Sequence, residues 1–153
     1  MKEYIGTKII KAEPAVRIVD PKGNRRVVAL TQHPITCPAD KVDMGYKVVY
    51  EDGYESWSPL DVFETAYRET SGMPFGLAIE AVKKGKKIAR HGWNGKGIYL
   101  ELQVPDEHSK MTLPYIYIVT SGLITDNPHA PKGVCPWLAS QTDMLADDWY
   151  IVE

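Results

Sequence analysis

The first third of the chain alternates short apolar and polar runs between turn residues, a pattern typical of antiparallel strands. Predicted strands occupy residues 5–9, 15–19, 25–30, 46–50 and 54–57. Residues 20–24 (Asp-Pro-Lys-Gly-Asn) and 51–53 (Glu-Asp-Gly) favour tight turns, so two hairpins are predicted. Residues 31–45 contain two prolines and a glycine, which predicts an irregular surface loop.

A helix is predicted from Ser58 to about Glu69. Ser58 can cap it, Pro59 suits its first position, and Asp61 can reach back to the cap near the positive helix end. Its buried stripe is predicted to be Val62, Phe63, Ala66 and Tyr67. Small, helix-breaking residues follow at 70–74 and predict a boundary between two modules.

The second half begins with apolar residues at helical spacing, which predicts an amphipathic helix over residues 75–84 that Gly85 ends. Short or alternating apolar runs then predict strands over residues 86–91, 98–104, 113–119 and 149–152. Three glycines within residues 92–97 predict a tight loop, and residues 121–136 predict a longer one. The polar run Ser140-Gln141-Thr142, with the aspartates that follow, predicts a helix N-terminus.

A chain of 153 residues with 44% hydrophobic content can bury one core or two small ones. We therefore predict an α+β fold of two small modules, each an antiparallel sheet packed with one main helix. Residues 1–72 form the first, β-rich module with its helix at the C-terminal end. Residues 73–153 form the second α+β module.

The formal net charge of −2 argues against a duplex DNA partner, because such binding needs clustered cations facing phosphates. A small anionic ligand is compatible with this charge. No run approaches the roughly 18 apolar residues of a membrane span, and no signal peptide pattern is visible, so we expect no membrane partner and a cytoplasmic protein. Cys37 and Cys135 lack metal-ligand spacing, so we expect free thiols, no metal and no cofactor.

No nucleophile elbow, P-loop, dinucleotide-binding glycine motif or zinc-protease motif is present, so no catalytic residue is predicted. Asp143, Asp147 and Asp148 form the one acidic group that could serve acid–base chemistry. The alternative is that Asp143 favours a helix N-terminus while the adjacent pair lies in a solvated turn. His91, beside the glycine loop, is the histidine that merits testing.

Trp93 and Asn94 stand between glycines, which suits an aromatic face that stacks on a nucleobase and an amide that reads its edge. Cations in the same span suit a phosphate-bearing ligand: Lys83, Lys84, Lys86, Lys87, Arg90 and Lys96. Two alternatives remain open. Trp93 can fold back into the core, and the cations can form a solvated face.

Residues 75–90, Gly92-Trp-Asn-Gly-Lys-Gly97, Leu113-Pro-Tyr-Ile116 and residues 134–152 closely resemble the second Thoeris anti-defence family of bacteriophages. The resemblance covers roughly residues 74–153. It implies a small α+β unit assembled as a homotetramer, with ligand pockets between subunits. It also implies a protein that binds a cyclic ADP-ribose isomer of Thoeris immunity without cleaving it, and some members also hold cyclic dinucleotides.

The resemblance places most of the site in two stretches, residues 90–97 and residues 134–152. Trp93 is the stacking face, Asn94 and Gln141 read the base edge, and Arg90 and Lys96 meet the pyrophosphate. Ser140 and Thr142 serve phosphate or ribose, and Asp143 serves a ribose hydroxyl. Phe75, Tyr115 and Trp137 wall the pocket.

The sequence therefore predicts a phage-encoded protein of the host bacterial cytoplasm that sequesters a cyclic nucleotide immune signal. A phosphodiesterase or ADP-ribosyl hydrolase that degrades the signal is one alternative, and a phage protein–protein interaction module is another. The short family members lack residues 1–70, although residues 45–59 look like a segment of small uncharacterised phage proteins.

Overall fold

A computed structural model of the protein describes residue 2 and residues 7–31 and 41–152. The chain forms two compact units, Met1–Tyr67 and Arg68–Glu153. One contains a four-stranded antiparallel sheet with one helix and the other a five-stranded antiparallel sheet with two helices, so the α+β prediction of two sheet modules is confirmed. The assignment of residues 1–72 and 73–153 as functional domains stays a prediction.

The first sheet comprises β1 (Lys11–Val19), β2 (Arg25–Ala29), β3 (Lys41–Val49) and β4 (Glu55–Pro59), in the order β2-β1-β3-β4. Both predicted hairpins are confirmed, because β1 pairs with β2 and β3 pairs with β4 in antiparallel register. Asp20 Oδ1 closes the first turn by accepting from the backbone N–H groups of Lys22 and Asn24 at 2.9 and 2.8 Å. Gly53 supplies a φ of 81° in the second turn.

Two predictions for this unit are wrong in their bounds. Residues 41–45, predicted as loop, form the first half of β3, because β1 offers them a cross-strand partner at every position down to Val19↔Lys41. Residues 7–9, predicted as part of a strand, are not in one. The rest of that predicted strand, and residues 32–40 of the predicted loop with Cys37, lie outside the described residues.

The helix α1 (Leu60–Ala66) is shorter than predicted, and its N-cap is Pro59. Ser58 does not cap it, because that residue still pairs with Tyr46 in the sheet. No residue within 60–66, all of which the structure describes, is fully buried, so the predicted buried stripe is wrong. Instead Phe63 stacks on Tyr46 and Tyr67, with ring centroids 4.0 and 4.9 Å apart, and Tyr67 is already extended.

The second unit contains α2 (Phe75–Lys83), β5 (Lys87–Arg90), β6 (Tyr99–Gln103), β7 (Tyr115–Val119), β8 (Val134–Pro136), α3 (Gln141–Met144) and β9 (Trp149–Val152). Its sheet order is β8-β7-β6-β5-β9. The helix α2 ends as predicted before Gly85, whose φ is 79°. Strand β8 lies inside the predicted loop 121–136 and corrects it. Its three residues are all exposed, and no apolar pattern marks so short an edge strand.

The core of the second unit lies between α2 and one face of the sheet. Ala78, Ala81 and Val82 of the helix pack with Ile88 and Leu100 of the strands. Trp149, at the start of β9, is fully buried in the same cluster. Within the described residues, no helix has both the length and the apolar character that crossing a membrane requires.

Candidate functional site

Three aromatic rings surround Trp149. We call Phe75, Trp93, Trp137 and Trp149 together the aromatic frame. The rings of Phe75 and Trp93 lie 5.4 Å from that of Trp149, and the ring of Trp137 lies 6.0 Å from it. These residues come from α2, the glycine loop, the segment after β8, and β9. The frame therefore brings together parts of both sequence motifs, with Trp149 buried and the other three rings partly accessible.

Asp143 connects this frame to the glycine loop. Its Oδ1 accepts hydrogen bonds from Arg90 Nη1 at 2.8 Å and from the indole Nε1 of Trp93 at 3.0 Å. Its Oδ2 accepts from the hydroxyl of Ser140 at 2.6 Å and from the backbone N–H of Ser140 at 3.1 Å. Ser140 and Asp143 thus form the capping box of α3, which confirms the helix N-terminus predicted around residues 140–142 and identifies Ser140 as its cap.

Arg90 lies between two carboxylates. Besides Asp143, its Nε donates to Asp148 Oδ1 at 2.8 Å, and its side chain is only 14% exposed. Asp148 Oδ2 in turn accepts from the backbone N–H of Gly92 at 2.6 Å. A Cβ at position 92 would come within 2.7 Å of that oxygen, so a larger residue there would displace the Asp148 carboxylate from this position. The end of β5, the start of the glycine loop and the start of β9 are therefore joined by one ionic group.

The electrostatics keep these groups charged. Burial raises the pKa of Asp143, but hydrogen bonds from Ser140, Trp93 and Arg90 outweigh it and lower the pKa to about 2. The hydrogen bond from Arg90 lowers the pKa of Asp148, against a smaller effect of burial. The Arg90 pKa is raised, chiefly by Asp148. With two carboxylates and one guanidinium, the group carries one excess negative charge.

Lys96 organises the glycine loop from within. Its ammonium Nζ donates to the backbone oxygens of His91 at 2.8 Å and Trp93 at 3.2 Å. The carbonyl of Lys96 accepts from the backbone N–H of Ile124 at 2.9 Å. Gly97 follows with a φ of 78°, a conformation that favours glycine. The loop is thus held at its base while Asn94 and the Lys96 side chain stay exposed.

The structure brings most of the predicted site residues onto connected segments. Phe75, Arg90, Trp93, Trp137, Ser140 and Asp143 are linked by ring contacts or hydrogen bonds. Asn94 and Lys96 in the loop, and Gln141 and Thr142 at α3, are exposed on the two segments that Asp143 joins. Their individual roles toward a ligand stay predictions.

Tyr115 is not brought to the aromatic frame. Its neighbours Ile116 and Ile118 pack against the core, and successive strand residues point to opposite faces of a sheet. Tyr115 therefore lies on the other face, where its ring is 6.3 Å from that of Tyr117. Its role as a pocket wall stays a prediction that the fold of one chain does not support.

Two central residues were not recognised from the sequence. The sequence predicts Trp149 only as the first residue of a closing strand, and Asp148 only as half of a solvated or catalytic pair. A tryptophan that opens a short apolar run is a signal for a core position, which was available for Trp149. Nothing local marks Asp148, because its partner Arg90 is 58 positions away in the chain.

The cysteine and histidine candidates from the sequence either lie apart from this site or already contact other residues. Among the described residues, no group of three or more His, Cys, Asp or Glu side chains is arranged to hold a metal ion. Cys135 is a free, exposed thiol on β8. His91 stacks on Tyr150 with ring centroids 4.3 Å apart, and its Nε2 lies 2.9 Å from the backbone oxygen of Ser71. His91 therefore anchors the base of the loop.

The fold and this geometry define a small α+β domain built on a hydrogen-bonded aromatic frame, which an N-terminal sheet unit precedes. Residues 73–152 match the family described as the Thoeris anti-defense 2-like domain. The chain belongs to this family. It is 38% identical over 84 residues to Thoeris anti-defense 2 of Bacillus phage SP01, a match that covers 52% of this chain and 94% of that relative. Family membership supports a role in phage anti-defence.

Proposed function

We propose that the protein binds and sequesters a cyclic nucleotide immune signal in the host bacterial cytoplasm without cleaving it. The proposed ligand is a cyclic ADP-ribose isomer of Thoeris immunity, with cyclic dinucleotides as a second class. One observation carries the proposal. Asp143 joins two segments that present exposed amides, Asn94 and Gln141, on a hydrogen-bonded frame that includes the half-buried ring of Trp93.

The chemistry of these groups suits a nucleotide. An aromatic face stacks on a base for roughly 1–3 kcal/mol, and amide side chains pair with its donor and acceptor edge. The single N–H of the Trp93 indole is already donated to Asp143, so the ring offers a face to the ligand and no hydrogen bond. Recognition of base edges therefore falls to Asn94 and Gln141 in this proposal.

For the pyrophosphate, the geometry favours Lys96 over Arg90. Two Arg90 nitrogens already bind carboxylates, and the excess negative charge of Asp143 and Asp148 opposes a phosphate there. Lys96 is exposed, and two backbone oxygens hold its ammonium in place. A positioned cation loses less conformational entropy on binding a phosphate than a free one does.

The state of the carboxylates supports binding without cleavage. Both oxygens of Asp143 and both oxygens of Asp148 accept hydrogen bonds, and both groups have a lowered pKa. A general acid or base needs a pKa near the working pH and access to the reacting atoms. Neither aspartate has such a pKa in this arrangement, and Asp143 is also nearly buried, which favours sequestration over the alternative of a phosphodiesterase or ADP-ribosyl hydrolase.

We further propose that the protein works as a homo-oligomer, with a homotetramer favoured and pockets between subunits. The second unit exposes several large apolar side chains, and such surface is typical of interfaces. The most exposed are Leu138 (91%), Leu145 (80%) and Leu113 (75%). Light scattering of the purified protein, with and without ligand, tests the assembly.

The test of function is calorimetric titration of the purified full chain with cyclic ADP-ribose, its linkage isomers and 3′,3′-cyclic dinucleotides. The complex is then heated and the released compound is identified by chromatography. Recovery of intact nucleotide from a tight complex supports sequestration, whereas cleaved product supports the enzyme. No binding to any of these compounds would overturn the proposal.

A matched pair of variants locates the site. Asn94→Ala removes a proposed edge-reading amide, and we expect the dissociation constant to rise about tenfold, the cost of one lost hydrogen bond in a desolvated site. Asn127→Ala removes an exposed amide that accepts from the backbone N–H of His129, outside the site. Equal affinity for both variants would place the ligand elsewhere.

A further inference from the structure

We propose that Asp143 is a positioning residue of the binding site, whose carboxylate sets the orientation of the Trp93 ring and holds the glycine loop against the start of α3. The inference rests on the proposed function, because the ring it positions is the proposed stacking surface. It assigns Asp143 an internal role in place of a contact with a ribose hydroxyl.

The first argument is that one oxygen serves two donors. Asp143 Oδ1 accepts both from Arg90 Nη1 and from Trp93 Nε1, while its Oδ2 is committed to Ser140. A carboxylate oxygen with two good donors is close to saturated. Asp143 as a whole is only 8% exposed. Its carboxylate therefore has little capacity left to bind a ribose hydroxyl.

The second argument concerns the indole. Trp93 has one N–H, and rotating the ring by half a turn about its side-chain bond would carry that group away from Asp143. The plane of the Trp93 ring is inclined at 76° to that of Trp149 and at 61° to that of Trp137, so the rings contact edge to face. Packing on two sides and one directed hydrogen bond thus select a single ring orientation. A preset orientation lowers the ordering cost of binding a flat base.

The third argument is that the hydrogen bond from Trp93 to Asp143 can be removed without removing the hydrogen bond that Trp149 makes in the core. The buried indole of Trp149 donates to the backbone oxygen of Asp143 at 3.0 Å, and Trp93 donates to its side chain. A change of the side chain at position 143 therefore removes the acceptor of one tryptophan and leaves that of the other. The indole N–H signal of Trp93 therefore reports on the orientation of its ring, and that of Trp149 reports on folding.

The experiment uses the ¹⁵N-labelled full chain and the variants Asp143→Ala, Asp143→Asn and Asp147→Asn. Hydrogen exchange of the Trp93 and Trp149 indole N–H groups is measured without ligand. Affinity is then measured with cyclic ADP-ribose, its linkage isomers and 3′,3′-cyclic GMP–AMP as probes. Asp147 is an exposed neighbouring acid outside the network, so its variant is the matched control.

In Asp143→Ala we expect the exchange of the Trp93 indole to rise about tenfold or more relative to that of the Trp149 indole, as for loss of a charged hydrogen bond. The buried Trp149 indole exchanges when the unit unfolds, so its rate corrects for the lower global stability of the variant. The dissociation constant of the probe rises by a similar factor and the stoichiometry is kept. Asp143→Asn retains a neutral acceptor and recovers part of both effects. Asp147→Asn behaves as the wild type. Should the alanine variant fail to fold, the Trp149 signal disappears too, and the asparagine variant then carries the comparison.

An unchanged Trp93 exchange rate in a folded Asp143 variant overturns the positioning role, and so does faster exchange with unchanged probe affinity. Failure of the wild-type protein to bind any probe overturns the proposed function instead. The two failures are read in different measurements and are therefore distinguishable.

Discussion

The indole N–H of Trp149 donates to the backbone oxygen of Asp143 at 3.0 Å inside the core of the second unit. Trp149→Phe removes this donor and leaves that carbonyl only the longer bond from the Ala146 backbone N–H at 3.4 Å. We therefore expect the lost bond to lower the free energy of unfolding by about 0.5–1.5 kcal/mol. Trp137→Phe is the comparison, because among the described residues the Trp137 indole nitrogen has no hydrogen bond. Urea unfolding followed by tryptophan fluorescence measures both. Equal losses would show that ring volume alone matters.

Acid stability should depend on Asp143. Its pKa is about 2 in the folded protein, below the ordinary 3.8, so its charged form stabilises the fold. This contribution is fully present above about pH 4 and is lost as the pH falls toward 2; it is on the order of 2 kcal/mol. Wild-type protein should therefore lose more stability than Asp143→Asn between pH 5 and 2 in urea titrations. Parallel curves for the two proteins would contradict the assignment.

Gly45 is required where β3 passes Trp57 in the first sheet. A Cβ there would lie 2.8 Å from Trp57 Cζ2 and would collide with the backbone oxygen of Ser58. We expect Gly45→Ala to destabilise the first sheet by more than about 2 kcal/mol, a cost typical of overpacking against backbone. Amide hydrogen exchange within β1 to β4 measures the loss.

The control for Gly45 is Gly53→Asn. Gly53 has a φ of 81° but nothing within 4 Å of an added Cβ, and asparagine tolerates that conformation. Its effect should stay below about 1 kcal/mol. A Gly45→Ala protein with wild-type protection in β3 would show that the strand can shift to accept the methyl group.

Gly97 fixes the far end of the glycine loop. Its φ is 78°, and an added Cβ would collide with the backbone oxygen of Gly122. We expect Gly97→Ala to displace the loop and to raise the dissociation constant of a bound cyclic nucleotide about tenfold, as misplaced binding groups do. Gly133→Ala, at a glycine with open space around it, should bind as the wild type. Equal binding by both variants would show that the geometry of the glycine loop does not control affinity.

Salt dependence of binding tests Lys96 as the phosphate partner. Lys96→Met should reduce the slope of affinity against ionic strength, because it removes an exposed cation from the site. Lys132→Met removes an exposed cation from the loop before β8 and should leave the slope unchanged. The slope is compared by titration at several salt concentrations. A loss of affinity in Lys96→Met with an unchanged slope would limit Lys96 to holding the loop carbonyls.

The local elements of the fold could largely be predicted from the sequence. Both hairpins, the helix α2 with its glycine terminus, and the cap at Ser140 depend on residues within a few positions of each other. The errors occurred where a neighbouring strand decided the outcome. Partners on β1 made residues 41–45 a strand, and sheet pairing kept Ser58 from capping α1.

For the candidate site, the sequence by itself determined which residues are available: an aromatic and amide loop, a polar helix start and a run of aspartates. Only the tertiary structure decided which of them meet. Arg90 and Asp148 are 58 positions apart, and Trp93 and Asp143 are 50 apart, yet each pair is bonded because β9 lies beside β5. Local patterns carry no information on such pairings, since the order of the strands in the sheet decides them. The site is therefore specified by the antiparallel pairing of β5 with β9.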